Sequence, residues 1–409
     1  MPPVITAIST RDARFQLQPG EGTDAVHSLS VYAYAVALLE TDTSDLKGSG
    51  LAFTLGQGND LVCQAIETLA KPLLGRDIES IMAEFGKVFR SIADHPSYRW
   101  LGPHKGVVHL ALAAITNACF DLWSKCRGLP LWKLLLSLNV DEIISFLDFS
   151  YVKDVFSEEE ARKILEDMMP SRAQRMDVLE SGYPGYDTSF GWLHFDDDTI
   201  VRNVEKATKS GFKALKLKVG SKDKARDIRR AKLVRKLVGP DVKLMFDANQ
   251  QWSLSTAVEM CEALKEVNPY WIEEPTHPDD VFSHQSLVRA GYPIAIGEAI
   301  PNRVTFKNFM QAQAANFIQV DPSRTGGISE TILVAMMAKK FCLPVVPHVG
   351  DMGQISQHLV LFYHIALGHE KLFLEYIPHL RKYFVTPAQV NEGVYRVPEE
   401  PGASSDLRD

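Results

Sequence analysis

A repeated pattern between Leu215 and His348 constrains the fold of this chain more than any other feature. Short apolar runs recur with starts roughly 23 to 29 residues apart, and a polar turn and a helical pattern follow each run. The runs are LKLKV at 215–219, LMFD at 244–247, WIEEP at 271–275, IAIGE at 294–298, FIQVD at 317–321, PVVPH at 344–348 and LFLEY at 372–376. This spacing fits one strand, one returning helix and two turns, so the pattern predicts a β/α repeat.

The repeat predicts eight parallel strands with seven intervening helices, if GYDTS at 185–189 is the first strand. Each run carries an ionisable residue inside it or at its carboxyl end. In a parallel barrel those ends converge on one face, where active sites lie. We therefore expect one pocket to contain Lys216, Lys218, Asp247, Glu273, Glu298, Asp321, His348 and Glu375.

The length of 409 residues exceeds the roughly 250 residues of a barrel, so we expect a second domain. Residues 1–135 show three strand patterns followed by helical ones, which predicts an α+β domain. Residues 136–182 are interpreted as an insertion, with a strand at 143–149 and an acidic helix at 157–168. The barrel is placed at 183–380 and a C-terminal segment at 381–409, with a frayed tail after Pro398.

Composition narrows the class of partner. A net charge of −7 with interspersed acids and bases argues against a nucleic-acid-binding protein. No apolar run approaches the roughly 18 residues that span a membrane, and the N-terminus lacks the pattern of a secretory signal. The five cysteines are scattered, which favours free thiols. We predict a cytoplasmic homo-oligomer that acts on a small molecule.

The carboxylates at three successive strand ends are Asp247, Glu273 and Glu298. A single acid there commonly faces solvent or caps the next helix. Three close together repel one another, by about 4 kcal/mol per pair at about 4 Å and an effective dielectric of about 20. A divalent cation removes this repulsion, and oxygen ligands favour Mg²⁺, with Mn²⁺ as an alternative.

Two basic groups accompany these acids. Lys216 and Lys218 are two residues apart, so both point to one face of their strand, and crowding with desolvation is expected to lower a lysine's pKa. His348 alone would be read as a buried core histidine. Asp321 ends the neighbouring strand, however, and an Asp–His pair would orient the ring. Glu274 is expected behind Glu273 or in a salt bridge.

This set resembles the mandelate racemase subgroup of the enolase superfamily: KxK, DxN, EEP, GE, Asp and His on successive strands. Further stretches are similar to its L-fuconate dehydratase branch, and nearly the whole chain follows it. They are TLGQGND at 54–60, RWLGPHKGVVHL at 99–110, DLW at 121–123, GWL at 191–193 and EEPTHPDD at 273–280. The resemblance implies a modified (β/α)7β barrel of the TIM type under a capping domain, to which the C-terminal segment returns.

The resemblance also implies the roles of the residues. Asp247, Glu273 and Glu298 would bind Mg²⁺. Lys218 would be the base at the α-carbon of an acid-sugar carboxylate, with Lys216 beside it, and His348 with Asp321 the opposing dyad. Glu375 would be an electrophile, and the substrate would contact Trp192, Asn249, Lys216 and Glu375. The implied reaction removes the α-proton and eliminates the 3-hydroxyl to give a 2-keto-3-deoxy acid.

Several positions depart from the branch and leave the substrate open. They are Ala299 after Glu298, Phe190 before Gly191, Pro378 before His379, and a shorter loop at 348–359. L-fuconate, L-galactonate and L-lyxonate are alternatives. A racemase or epimerase is the second hypothesis, because Lys218 and His348 would also serve a 1,1-proton transfer. A Schiff-base aldolase that uses Lys218 and a non-catalytic binding protein on the same fold are the other two.

Overall fold

The computed structural model describes residues 2–348, 350–370 and 373–408, which form two β-sheets. The strands are β1 (Ile5–Gln16), β2 (Val31–Thr41), β3 (Lys47–Thr54), β4 (Tyr183–Asp187), β5 (Ala214–Lys218), β6 (Lys243–Asp247), β7 (Pro269–Glu273), β8 (Ile294–Ile296), β9 (Phe317–Ile318), β10 (Leu374–Tyr376), β11 (Val390–Asn391) and β12 (Val394–Tyr395).

Helices occupy most of the sequence between the strands. They are α1 (Asn59–Leu69), α2 (Ile78–Ala83), α3 (Phe85–Ala93), α4 (Pro96–Arg99), α5 (Gly106–Cys126), α6 (Leu131–Ser137), α7 (Val140–Ser145), α8 (Glu158–Met168), α9 (Val178–Ser181), α10 (Asp197–Lys209), α11 (Lys224–Val238), α12 (Leu254–Leu264), α13 (Val281–Arg289), α14 (Arg303–Gln311), α15 (Ile328–Lys340), α16 (Gly350–Gly353) and α17 (Ile355–Ile365).

The first sheet is antiparallel and has the order β1-β2-β3, which is the strand sequence that the N-terminal patterns predict. The long helix α5 packs directly on β3. Gly50 makes this close approach possible, because a Cβ there would lie 2.0 Å from the carbonyl oxygen of Ala114. We call this sheet, together with its helices α1 to α5, the cap.

The second sheet carries the predicted alternation of strands and helices. Strands β4 to β9 pair in chain order and in parallel, Ile318 of β9 bridges Val345, and β10 pairs in parallel with β4. The last strand therefore returns beside the first, as in a (β/α)7β barrel. Helices α10 to α15 and α17 lie between consecutive strand positions.

Two of the predicted strands are shorter than expected. The sixth ends at Ile318 rather than 321, and the seventh is reduced to the bridge at Val345. Backbone hydrogen bonds still join the two segments, from Ile318 N–H to the Pro344 carbonyl and from Val346 N–H to the Ile318 carbonyl. Both segments thus stay extended, and the polar residues that follow them turn into the pocket. In the predicted eighth strand, Leu372 lies outside the described residues, as does Val349 in the loop after His348.

The strand predicted at 143–149 is wrong, because residues 140–145 form the helix α7. Asn139 accepts a hydrogen bond from the Glu142 N–H, and the Glu142 carboxylate accepts one from the Asn139 N–H. This capping box starts a helix, and Ile143 and Phe146, three residues apart, are both buried. The helix predicted at 157–168 is confirmed as α8, with Ser157 in a second capping box.

Helix α5 contradicts the expectation that no segment is long and apolar enough to span a membrane. Its 21 residues meet that criterion by length and composition, with a mean hydropathy of 1.4 over the most apolar stretch. Of that stretch, 78% is buried inside the fold. The helix lies on β3 and beside α1, so the structure uses it as a core helix of the cap.

The segment after Pro398 is packed rather than frayed, which corrects the prediction of a loose tail. Ala403 and Ser405 are fully buried. The Ala403 N–H donates to Asp121 of α5 at 2.7 Å, and the Ser49 hydroxyl of β3 donates to the Ser405 carbonyl at 3.2 Å. These contacts bring the C-terminal segment back to the cap. All five cysteines are free thiols, as predicted.

Candidate active site

Three carboxylates lie together at the carboxyl ends of neighbouring strands. Asp247 ends β6 and is in register with Glu273 at the end of β7, while Glu298 follows β8. Ligand oxygens of the three lie within 4.8 Å of one another, and all three side chains are buried. Gly297 lets the chain after β8 pass close to its neighbour, since a Cβ there would lie 2.5 Å from the Gln319 backbone.

The surroundings of this triad fit a hard divalent cation. Burial raises the pKa of Glu273 to about 7, against the opposing effect of Lys216, so the bare cluster resists full ionisation. The Oδ1 atom of Asn249 is buried without a hydrogen-bond partner among the described residues, beside Asp247, whose Oδ1 accepts the Asn249 N–H at 2.9 Å. Carboxylate and amide oxygens are the ligands that Mg²⁺ prefers in proteins.

Lys216 and Lys218 enter the pocket from β5, on the same face of the strand, and both are buried. The Nζ atom of Lys216 lies 2.7 Å from Glu273 and 2.8 Å from Glu375. The Nζ atom of Lys218 lies 2.5 Å from Oδ2 of Asp247. Each lysine therefore contacts a carboxylate of the triad.

The pKa of Lys218 corrects the expectation of a lowered value. Burial acts to lower it, but the adjacent Asp247 carboxylate outweighs burial and the pKa is raised. Lys216 acts in the same direction as burial but has a smaller effect than Asp247. A lysine acts as a base only after it loses its proton, so catalysis by Lys218 requires the negative charge of Asp247 to be compensated.

His348 and Asp321 form the predicted pair. Asp321 Oδ2 accepts the Nδ1–H of the histidine at 2.9 Å, and the other oxygen of Asp321 is held by the Ser323 hydroxyl and N–H. The Nε2 atom of His348 points the other way and lies 3.0 Å from Glu298. Burial acts to lower the pKa of His348, but Glu298 and Asp321 raise it well above its usual value, which keeps the ring protonated.

Glu375 lies on β10 between the two cationic groups. Its Oε1 contacts Lys216 and accepts a hydrogen bond from the Thr188 hydroxyl at 2.6 Å, and its Oε2 lies 3.7 Å from His348. Burial opposes ionisation, but Lys216 and His348 lower its pKa to about 2. Glu375 is thus ionised here, whereas an electrophilic role would require it to carry a proton.

Trp192 closes the pocket on the side of Lys218. Its ring centre lies 5.6 Å from the lysine Nζ, and the ring packs with cap residues such as Tyr32. The next residues are tied to the loop between β1 and β2, since the Thr23 carbonyl accepts the Leu193 N–H. Asp24 lies in the same loop. Burial acts to raise its pKa, but the hydrogen bond with His27 and the nearby cation of Lys218 lower it.

The structure brings together all the residues that the sequence singled out, and it adds several more. Gln319 and Trp271 both donate to Oε2 of Glu273, at 2.9 and 3.0 Å. Each lies two residues before a predicted site residue, on the same face of its strand, and this spacing could have identified them. Glu274 is buried, with Gln250 and the Ala299 N–H as hydrogen-bond donors rather than a salt-bridge partner. Thr188 and Asp24 had no such signal.

Comparison with known proteins gives consistent matches over this architecture. Residues 199–409 match the family described as Enolase C-terminal domain-like. Mitochondrial enolase superfamily member 1 of Homo sapiens is 41% identical, with 99% of this chain and 94% of the human protein covered. L-galactonate dehydratase of Hypocrea jecorina is 36% identical, with 99% and 92% covered.

Solved structures agree with these sequence matches. The crystal structure of human mitochondrial enolase superfamily member 1 superposes with a TM-score of 0.95 at 40% identity and covers 100% of this chain and 95% of that one. L-talarate/galactarate dehydratase from Salmonella typhimurium LT2, liganded with Mg and L-lyxarohydroxamate, superposes with a TM-score of 0.79 at 25% identity and covers 100% and 92%. The acidic triad of this chain therefore lies in a fold that is known to carry magnesium.

Proposed function

We propose that this chain, which belongs to the enolase superfamily, catalyses the magnesium-dependent dehydration of an acid sugar. The observation that carries the proposal is the position of Lys218 and His348. One contacts Asp247 and the other contacts Glu298, so a base and an acid flank the triad from different strands. The names of the similar dehydratases support the same class of reaction.

In this proposal Asp247, Glu273 and Glu298 hold Mg²⁺. When bound, the ion compensates the charge of the triad and stabilises the negative charge that develops on the substrate carboxylate. Lys216, between Glu273 and Glu375, adds a fixed positive charge beside that carboxylate, and Glu375 orients Lys216. A proton α to a carboxylate is very weakly acidic, so the reaction needs this concentration of positive charge.

Two proton transfers bring about the elimination. Neutral Lys218 takes the α-proton, which breaks the C2–H bond and moves its electron pair toward the carboxylate. The imidazolium of His348, oriented by Asp321, donates its Nε2 proton to the 3-hydroxyl, which leaves as water. The resulting enol then takes up a proton at C3 and loses the proton of its C2 hydroxyl, which gives the 2-keto-3-deoxy acid. Asn249 and Trp192 are assigned to the substrate-binding wall.

We further propose a substrate of the L-galactonate and L-fuconate type. These two acids share their configuration from C2 to C5 and differ only at C6, which carries a hydroxyl in one and none in the other. The 36% identity to L-galactonate dehydratase across the full chain favours L-galactonate, and the sequence stretches similar to the fuconate branch favour L-fuconate. The cytoplasmic location and the homo-oligomeric state stay predictions.

The test is a panel of acid sugars assayed with Mg²⁺ for 2-keto acid formation, with L-galactonate, L-fuconate and their C2 epimers as the central comparison. We expect that at least one of these acid sugars is dehydrated. We also expect kcat/KM to differ between L-galactonate and L-fuconate, because only the first has a hydroxyl at C6. A product that is only the C2 epimer would replace dehydratase by epimerase. Trapping of a covalent adduct at Lys218 by borohydride would establish a Schiff-base enzyme instead.

A further inference from the structure

Three side chains form a line from the cap to Lys218. Glu21 lies in the loop between β1 and β2, and its Oε2 lies 3.5 Å from Nδ1 of His379. The Nε2 atom of His379, which follows β10, accepts a hydrogen bond from the indole N–H of Trp192 at 2.9 Å. The ring of Trp192 in turn faces Lys218. The line therefore ends at the residue that we propose as the base.

The chemistry of these groups fixes the state of His379. The indole N–H of tryptophan only donates, so Nε2 of His379 must be an unprotonated acceptor. The proton of the neutral ring is then on Nδ1, the side that faces Glu21. Burial is the main reason that the pKa of His379 is lowered, with Lys206 acting in the same direction and Glu21 against it. The hydrogen bond and the environment thus favour the same neutral tautomer.

We propose that His379 is a positioning residue that acts through Trp192 on Lys218. The proposal rests on the role of Lys218 in the proposed dehydration. A lysine side chain has four rotatable carbons, and the ring of Trp192, 5.6 Å from Nζ, limits where the ammonium can move. If His379 no longer accepts this hydrogen bond, the buried indole N–H is left unpaired, which favours a different ring orientation.

The surroundings of His379 expose its hydrogen bond with Trp192 to the bulk pH. Glu21 and His379 line a cleft of about 800 Å³. The other charged groups on that cleft are Lys206 of α10, Asp187 at the end of β4 and Glu392 between β11 and β12. Protons reach His379 through this cleft. Protonation of Nε2 removes the acceptor, so acid should release Trp192.

The hydrogen bond is tested first by tryptophan fluorescence, which needs no substrate. The difference between wild type and Trp192→Phe isolates the emission of Trp192. We expect it to change with a midpoint below pH 6.5, the usual value for histidine, and the change to be absent in His379→Gln, which accepts at the same position but does not titrate. A change that persists in His379→Gln would overturn the assignment of this bond.

The effect on Lys218 is tested with two amide variants that differ in reach. The carbonyl of Gln can take the place of Nε2, whereas that of Asn is too short to reach Trp192. With an acid sugar in D₂O, His379→Asn should lose about 10-fold in α-proton exchange and in kcat, with KM and Mg²⁺ affinity within 2-fold, and His379→Gln should restore most of both. Equal activity in the Asn and Gln variants would refute the proposal. An inactive wild type would instead count against the proposed function, and the fluorescence result would still decide the hydrogen bond.

Discussion

At the scale of single residues, the site is built from residues two positions apart, on one strand or just beyond its end. Trp271 supports Glu273, Lys216 accompanies Lys218, and the Asn249 N–H supports Asp247. Each strand thus contributes a ligand or a proton-transfer group together with the neighbour that orients it. Substitution of the ligand or the proton-transfer group of such a pair should change metal binding or proton transfer specifically, and should not cause a general loss of folding.

Glu273→Gln should weaken Mg²⁺ binding by more than about 100-fold, because even a change behind a metal ligand costs about 10- to 100-fold. The amide has the shape of the carboxylate, and the two donors to Oε2, Trp271 and Gln319, stay within reach. The fold should therefore persist. Calorimetric titration with Mg²⁺ measures the loss, and a chelator should abolish wild-type activity. The control is Glu259→Gln, an exposed residue of α12. Full activity in metal-free buffer would contradict the metal assignment.

Lys218→Ala and His348→Asn should separate the two proton transfers. The first should lose α-proton exchange with D₂O and turnover together. The second should lose turnover by about 10²–10⁴-fold and retain exchange, because Lys218 and the triad remain. Proton NMR of an active acid sugar in D₂O reads both. Dehydration that survives in Lys218→Ala would show that another group is the base.

At the scale of elements, a buried ion network joins the segment after α7 to the barrel helices. Arg303, the first residue of α14, contacts Asp148 at 2.7 Å and Glu330 of α15 at 3.1 Å, and it donates to the Ser150 carbonyl. All of these side chains are nearly inaccessible to solvent. The network therefore links residues 148–150 to helices α14 and α15.

Arg303→Met should lower the free energy of unfolding by about 3–5 kcal/mol, because it removes the buried cation that Asp148 and Glu330 share. Arg90→Met is a matched control, since Arg90 binds the same Asp148 at 2.9 Å but is 51% exposed. Exposed pairs contribute about 0–1 kcal/mol. Urea unfolding of both variants measures the difference. Equal losses would show that burial does not set the strength of these pairs.

The sequence predicts correctly the elements that have a strong hydrophobic period, and its prediction is wrong where two local signals compete. The seven predicted helices between the barrel strands are present, strands β5 to β7 lie close to their predicted bounds, and the family and fold predicted from the motifs are confirmed. The apolar run at 143–149 is rich in β-forming residues, which favours a strand, whereas the Asn139–Glu142 capping box starts a helix. Contacts between distant segments, such as Thr188 with Glu375, leave no local pattern and could not be predicted.

At the scale of the whole molecule, the acid response should come in part from two buried histidines. Burial lowers the pKa of His358 to about 3 and that of His369 to about 4. Both are neutral in the fold: His358 hydrogen-bonds to Ser404, and His369 to the Ala335 carbonyl. The unfolded chain binds these protons below about pH 6.5. Their contribution to stability is therefore complete above that pH and is lost as the pH falls toward 4.

At pH 5 each histidine should have lost about 2 kcal/mol relative to pH 7.5. Groups with a raised pKa, such as Glu274 at about 8, act in the opposite direction, so the comparison must be made between variants. Urea unfolding of wild type and His369→Gln at both pH values isolates one histidine. The variant should show the smaller pH dependence. The same dependence in both proteins would mean that His369 is not kept neutral by burial.

The packing of residues 402–408 against β3 and α5 has a consequence for biosynthesis. Asp121 and Ser49 leave the ribosome 282 and 356 residues before Ala403 and Ser405, which are their hydrogen-bond partners. Until those partners emerge, the buried carboxylate of Asp121 lacks part of its hydrogen bonding, and one face of the cap is uncovered. Completion of the cap must therefore wait for residues 402–408, and until they are made the nascent chain leaves this face open to chaperones.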